Sequence, residues 1–213
     1  MTANPHAGQP VTVVGPPLGQ APVVVILLHG RGASPANILE VAPIVGRPDV
    51  TYLAPAAAGH TWYPNRFVAE LASNEPFLSS ALTLIGELVT RAEALGISRS
   101  RIVLGGFSQG ACLAAEFAIR HASRLGGVVV WSGGAIGPPG TTWSHSGSFD
   151  ATPVFLGCSD RDAHIPLERV HETAEVFTRM GASVTTRIYP GLGHLVIDDE
   201  IDWLRQLLER LQP

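Results

Sequence analysis

A serine set between a strand and a helix constrains this chain more than any other feature. Ile102-Val103-Leu104 is a short apolar run that ends in Gly105 and Gly106, and Ala111-Cys112-Leu113-Ala114-Ala115 is helix-forming. Between them, Gly106-Phe107-Ser108-Gln109-Gly110 fits the pattern G-x-S-x-G. A serine in that context sits on a sharp turn with its hydroxyl held clear of the backbone. The turn crowds its neighbours, so small residues are needed at Gly106 and Gly110. The N-terminus of the following helix points its amides at the same spot, which favours an oxyanion there. The competing reading is an ordinary Gly/Ser-rich turn. The catalytic reading therefore requires the rest of the chain to supply a base, an acid and oxyanion donors.

The same alternation of strand and helix recurs along the chain. Pro22-Val23-Val24-Val25-Ile26-Leu27-Leu28 is unbroken apolar, as expected of a strand buried on both faces. Further strands are expected at 50–54, 127–131, 153–157 and 184–189. Helices are expected from Ser34-Pro35, from Asn74-Glu75-Pro76 and over 166–180, and the last carries Ile197, Ile201, Leu204, Leu208 and Leu211 on one stripe. Pro43 should end or bend the first helix. Leu95 is expected on the inward face of the second. This order implies an α/β fold, a mostly parallel sheet with helices on both faces, in one domain over residues 1–213. Residues 1–20 read as a loose N-terminal segment with a short edge strand at Val11-Thr12-Val13-Val14. Sites in such sheets lie beyond the C-terminal strand ends, where His29, Ser108, Ser132, Asp160, Asp162 and His194 all fall.

Composition narrows the function classes. Charged residues are only 15% of the chain and apolar ones 46%, so a well-packed core is expected rather than disorder. A net charge of -4 without a basic cluster gives no support for nucleic-acid binding. The longest aliphatic run, Val23 to Leu28, is too short for a transmembrane segment. Met1 to Gln9 lacks the pattern of a secretory signal, and Cys112 and Cys158 read as reduced thiols, so a cytoplasmic location is expected.

Ser108 needs a base to become nucleophilic. His194 follows the last strand in Gly191-Leu192-Gly193-His194, on a glycine-flexed loop before the final helix. His6, His60, His121, His145 and His171 fall in termini, loops or exposed helix positions and read as solvated. Asp160 and Asp162 both follow the 153–157 strand, and either could orient the imidazole. The two oxyanion donors are expected to be the backbone N–H groups of Gln109, after the serine, and of Arg31, in the loop after the first buried strand. The Arg31 side chain reads first as a solvated or bracing group. If it reaches the site, it would attract an anionic substrate group. No metal site is expected, because His171-Glu172-Thr173-Ala174-Glu175 lacks the second histidine of H-E-x-x-H. No G-x-G-x-x-G follows a strand, so no dinucleotide is expected either.

Leu28-His29-Gly30-Arg31-Gly32, Gly105 to Gly110, Asp162-Ala163-His164-Ile165-Pro166 and Gly191 to His194, in that order, resemble the phospholipase/carboxylesterase family of small α/β-hydrolases. The resemblance covers nearly all of the chain past residue 20. It implies an α/β-hydrolase fold without a large lid domain. It also implies hydrolysis of carboxylic esters or thioesters through an acyl-enzyme on Ser108, Asp162 and His194, without a cofactor. By match to the family's D-x-x-V-P pattern, the acid is Asp162. Trp62, Tyr63 and Phe67 resemble the aromatic loop that lines the acyl side, and short or medium acyl chains are expected. Dimerisation is common in the family, so a homodimer is among the assemblies implied. Arg31 and Ala33 depart from the Leu and Asp often found there, and the acid loop looks two residues longer. The alternatives are a peptidase or amidase on the same triad and a ligand-binding protein without turnover.

Overall fold

The computed structural model describes residues 4–212. Seven strands form one sheet in the order β1-β3-β2-β4-β5-β6-β7. They are β1 Val11–Val14, β2 Val24–Leu28, β3 Thr51–Pro55, β4 Ile102–Phe107, β5 Gly127–Trp131, β6 Pro153–Ser159 and β7 Ser183–Tyr189. Only β1 runs antiparallel, against β3, as the edge strand expected from its sequence. The remaining six are parallel to one another.

The parallel order follows from the helical crossovers. The helices are α1 Pro35–Leu39, α2 Val41–Val45, α3 Phe77–Ala94, α4 Gln109–Arg120, α5 Leu167–Arg179 and α6 Asp198–Arg210. Strands β2 to β5 are buried along nearly their whole length because helices cover both faces. The sheet separates two apolar cores. On one side Ile26, Leu104 and Val130 pack with Ile85 of α3, Leu113 of α4 and Phe177 of α5. On the other, Val25, Val103 and Trp131 pack with Leu39 of α1, Val45 of α2 and Leu204 of α6.

Three local expectations change. The first expected helix is two short ones that break at Glu40, so Pro43 lies in the first turn of α2, where its missing N–H costs no intrahelical bond. Leu95 is not inward: it follows the end of α3 and is half exposed. The N-terminal segment is not loose at His6, whose side chain is fully buried. There Nδ1 accepts the N–H of Ala58, and Nε2–H donates to the Trp62 carbonyl. Met1 to Ala3 lie outside the described residues. Among the described residues, no helix is long and apolar enough to cross a membrane.

Candidate active site

Ser108 sits between β4 and α4 with φ 56 and ψ -120, a strained conformation for a non-glycine residue. The strain is sustained by close packing. A Cβ on Gly110 would lie 2.1 Å from the Leu28 carbonyl oxygen, and one on Gly106 would lie 2.6 Å from it. Only glycine at these two positions lets β2, β4 and α4 approach so closely. The Ser108 N–H donates to the Trp131 carbonyl of β5, which fixes the turn against the sheet.

Two hydrogen bonds then link three side chains from separate loops. Nε2 of His194 lies 2.8 Å from Ser108 Oγ, and Nδ1 of His194 lies 2.6 Å from Asp162 Oδ2. With Nδ1–H donated to the carboxylate, Nε2 is the acceptor for the serine hydroxyl. The other Asp162 oxygen accepts the N–H groups of His164 and Ile165. Burial pushes the Asp162 carboxyl up, but the bonds from His194 and these two amides outweigh it and hold it below the usual range. The imidazole is packed beside the rings of Phe107 and His164, with centroids 4.7 and 4.8 Å away.

Asp160 takes a different position. Its Oδ1 accepts the Gly191 N–H at 2.7 Å, and Ser159 Oγ donates to the Leu192 carbonyl. Both contacts tie the loop after β6 to the loop that carries His194. Of the two carboxylates, the one that meets the imidazole is Asp162.

The N–H groups of Arg31 and Gln109 have no acceptor among the described residues. Arg31 lies in the loop after β2, and Gln109 is the first residue of α4. The loop is braced from behind. His29 is buried, Nδ1–H donates to the Gly30 carbonyl, and Nε2 accepts the Ala57 N–H. Burial lowers the pKa of His29, which keeps it neutral in this role.

A cavity of about 590 Å³ opens beside Ser108 and His194. Tyr63, Phe67, Phe107 and Ile165 give it apolar walls, with Arg31, Asn65 and Arg66 on its polar side. Trp62 corrects the sequence expectation. It is fully buried and outside the cavity lining, and its indole N–H donates to the His29 carbonyl. It anchors the loop after β2 from within the core rather than lining the cavity.

Three further side chains brace the site and its surroundings. The Gln109 side chain accepts the Trp62 N–H and donates to the Tyr63 carbonyl. Arg31 donates to the carbonyls of Tyr63, Pro64 and Asn65 at 2.6–2.9 Å. Arg169, nearly buried, donates to the carbonyls of Ala135 and Gly137 and stacks on Trp143 and Phe67. All three tie together segments far apart in sequence. Cys112 and Cys158 are free and buried, and burial pushes the thiol of each up to about 12. Neither is activated as a nucleophile. Among the described residues, no three His, Cys, Asp or Glu side chains are grouped to hold a metal ion.

Residues 10–211 match the family model described as Phospholipase/Carboxylesterase. The chain belongs to the phospholipase/carboxylesterase family. A phospholipase/carboxylesterase from Dyadobacter fermentans is 36% identical and superposes with a TM-score of 0.90, covering 95% of this chain and 97% of that one. An acyl-protein thioesterase 1 of Eremothecium gossypii is 30% identical over 85% of this chain and 78% of its own length. A probable carboxylesterase of rice is 28% identical over 87% and 86%. The α/β-hydrolase fold common to this family is the one the resemblance implies, and its mostly parallel sheet is the one expected from the strand–helix order.

Proposed function

We propose that the protein is a serine hydrolase that cleaves carboxylic esters, and thioesters of the same acyl groups, through an acyl-enzyme. The observation that carries this reading is the relay of hydrogen bonds from Ser108 through His194 to Asp162. His194 takes the hydroxyl proton as Ser108 attacks the carbonyl. The negative charge that develops on the carbonyl oxygen is received by the N–H groups of Arg31 and Gln109, aided by the N-terminus of α4. Asp162 stays ionised, holds the tautomer and stabilises the imidazolium. His194 then protonates the departing alkoxide or thiolate. In the second half-reaction it activates water, which releases the acid and restores Ser108.

The substrate range follows from the cavity. A space of about 590 Å³ with apolar walls accepts an acyl chain of modest length alongside the reacting carbonyl. Tyr63 and Phe67 line it and are assigned to the acyl group. The test is hydrolysis of 4-nitrophenyl esters from two to sixteen acyl carbons, with Ser108→Ala alongside. Turnover that peaks at short or medium length and vanishes in the variant is expected. Turnover equal in both proteins at every length would overturn the reading. A matched ester and anilide pair separates esterase from amidase, because the amide has the poorer leaving group.

A further inference from the structure

The cavity beside Ser108 carries positive charge that nothing in it balances. Arg31 and Arg66 both line it, and no Asp or Glu does. The carboxylate of Asp162 is sealed from solvent and committed to His194. Arg31 uses three of its five N–H donors on the carbonyls of the 63–65 segment, which leaves two. Carbonyl dipoles fix the guanidinium in place but leave its formal charge uncompensated. Arg66 is exposed, and its side chain makes no hydrogen bond or ion pair among the described residues. The whole chain carries a net charge of -4, so cations concentrated in one apolar-walled cleft run against its overall balance.

We propose that this cavity selects esters that also carry a carboxylate, received by Arg31 and Arg66 while the ester carbonyl lies at Ser108. The inference rests on the ester-hydrolase reading above and names its substrate class. A planar carboxylate fits the donor fork of a guanidinium, and an anion beside it makes charge-assisted hydrogen bonds with both cations. Arg31 supplies a fixed charge because its loop contacts hold it. Arg66 supplies an adjustable one. The chemistry at Ser108 is unchanged, since the carboxylate is bound and does not react.

Two substrate pairs test this and report where the charge sits. The 4-nitrophenyl monoester of glutaric acid against 4-nitrophenyl pentanoate places it on the acyl side. 4-Acetoxybenzoate against phenyl acetate places it on the leaving group. The charged member of at least one pair is expected to have about tenfold higher kcat/KM at low ionic strength, the scale of one charge-assisted hydrogen bond. That ratio should fall toward one in about 1 M salt, where exposed charges are screened. It should drop in Arg66→Gln, survive largely in Arg66→Lys and invert in Arg66→Glu. Each ratio compares two substrates on one sample, so loss of folded protein cancels. Ratios near one for both pairs, or a ratio that neither salt nor the Arg66 variants move, overturn the subsite and leave ester hydrolysis standing. No turnover of any of the four esters overturns the ester-hydrolase reading and the subsite with it.

Discussion

At the scale of single residues, the site depends on which proton sits where. Asp162 holds Nδ1–H of His194, so the lone pair on Nε2 faces Ser108. Asp162→Asn keeps the shape but offers an amide in place of an acceptor, which favours the wrong tautomer. A loss of about 10⁴-fold in kcat is expected with the fold intact, measured on a 4-nitrophenyl ester with circular dichroism as control. The lowered pKa of Asp162 also stabilises the fold at neutral pH. With its folded value below the unfolded one, that contribution is complete above the ordinary carboxylate range and is lost as pH falls through the folded value. Ser108 and His194 were legible in the sequence because glycine-rich turns after strands are local signals. The choice between Asp160 and Asp162 was left open by spacing, since both follow β6 by a few residues. Bracing was one of the readings open for the Arg31 guanidinium, but its partners, like the roles of Trp62 and of the Gln109 amide, were not legible. Each depends on a loop that folding brings in from far along the chain.

At the scale of elements, the first turn of α6 holds an unusual glutamate. Glu200 is buried, with Oε2 accepting the Ile197 N–H and Oε1 without a partner. It fits only because β6 has glycine beneath it: a Cβ on Gly157 would lie 1.9 Å from Oε1. Burial pushes the carboxyl up to about 7. Between the unfolded value near 4.5 and about 7, the unfolded chain releases this proton and the folded one keeps it, so stability falls as pH rises across that window. Glu200→Gln should flatten that fall and raise stability at pH 8 by about 3 kcal/mol, read from urea unfolding at pH 5 and pH 8. An equal slope in both proteins would refute the assignment. The sequence placed α6 and the inward Ile201, Leu204 and Leu208, while Ile197 and Leu211, expected on the same stripe, are its N-cap and C-cap and only half-buried. It could not reveal a buried acid at the helix start, where exposed Asp and Glu are the norm. The same limit applies to His6, whose burial depends on the loop around Trp62.

At the scale of the whole molecule, one sheet carries two separate cores, and the rim of that sheet carries the site. Ile85 lies in the core under α3, and Leu204 in the core under α6. Ile85→Ala and Leu204→Ala should each cost about 2–5 kcal/mol. Because the sheet separates them, the double variant should lose the sum to within about 0.5 kcal/mol and still unfold in one transition. Two resolved transitions in urea would contradict a single cooperative domain. The fold was legible at this scale because β2 to β5 are continuous apolar runs spaced by helical segments, which leaves few topologies open. The central claim is that Ser108 carries the acyl group between the two half-reactions. Rapid quenching of the protein with 4-nitrophenyl butyrate, followed by peptide mass analysis, tests it most directly. A butyryl group on Ser108 that forms with the nitrophenolate burst and disappears with continued turnover is expected. Sustained turnover with no acyl group on Ser108, or with the group on another residue, would contradict it.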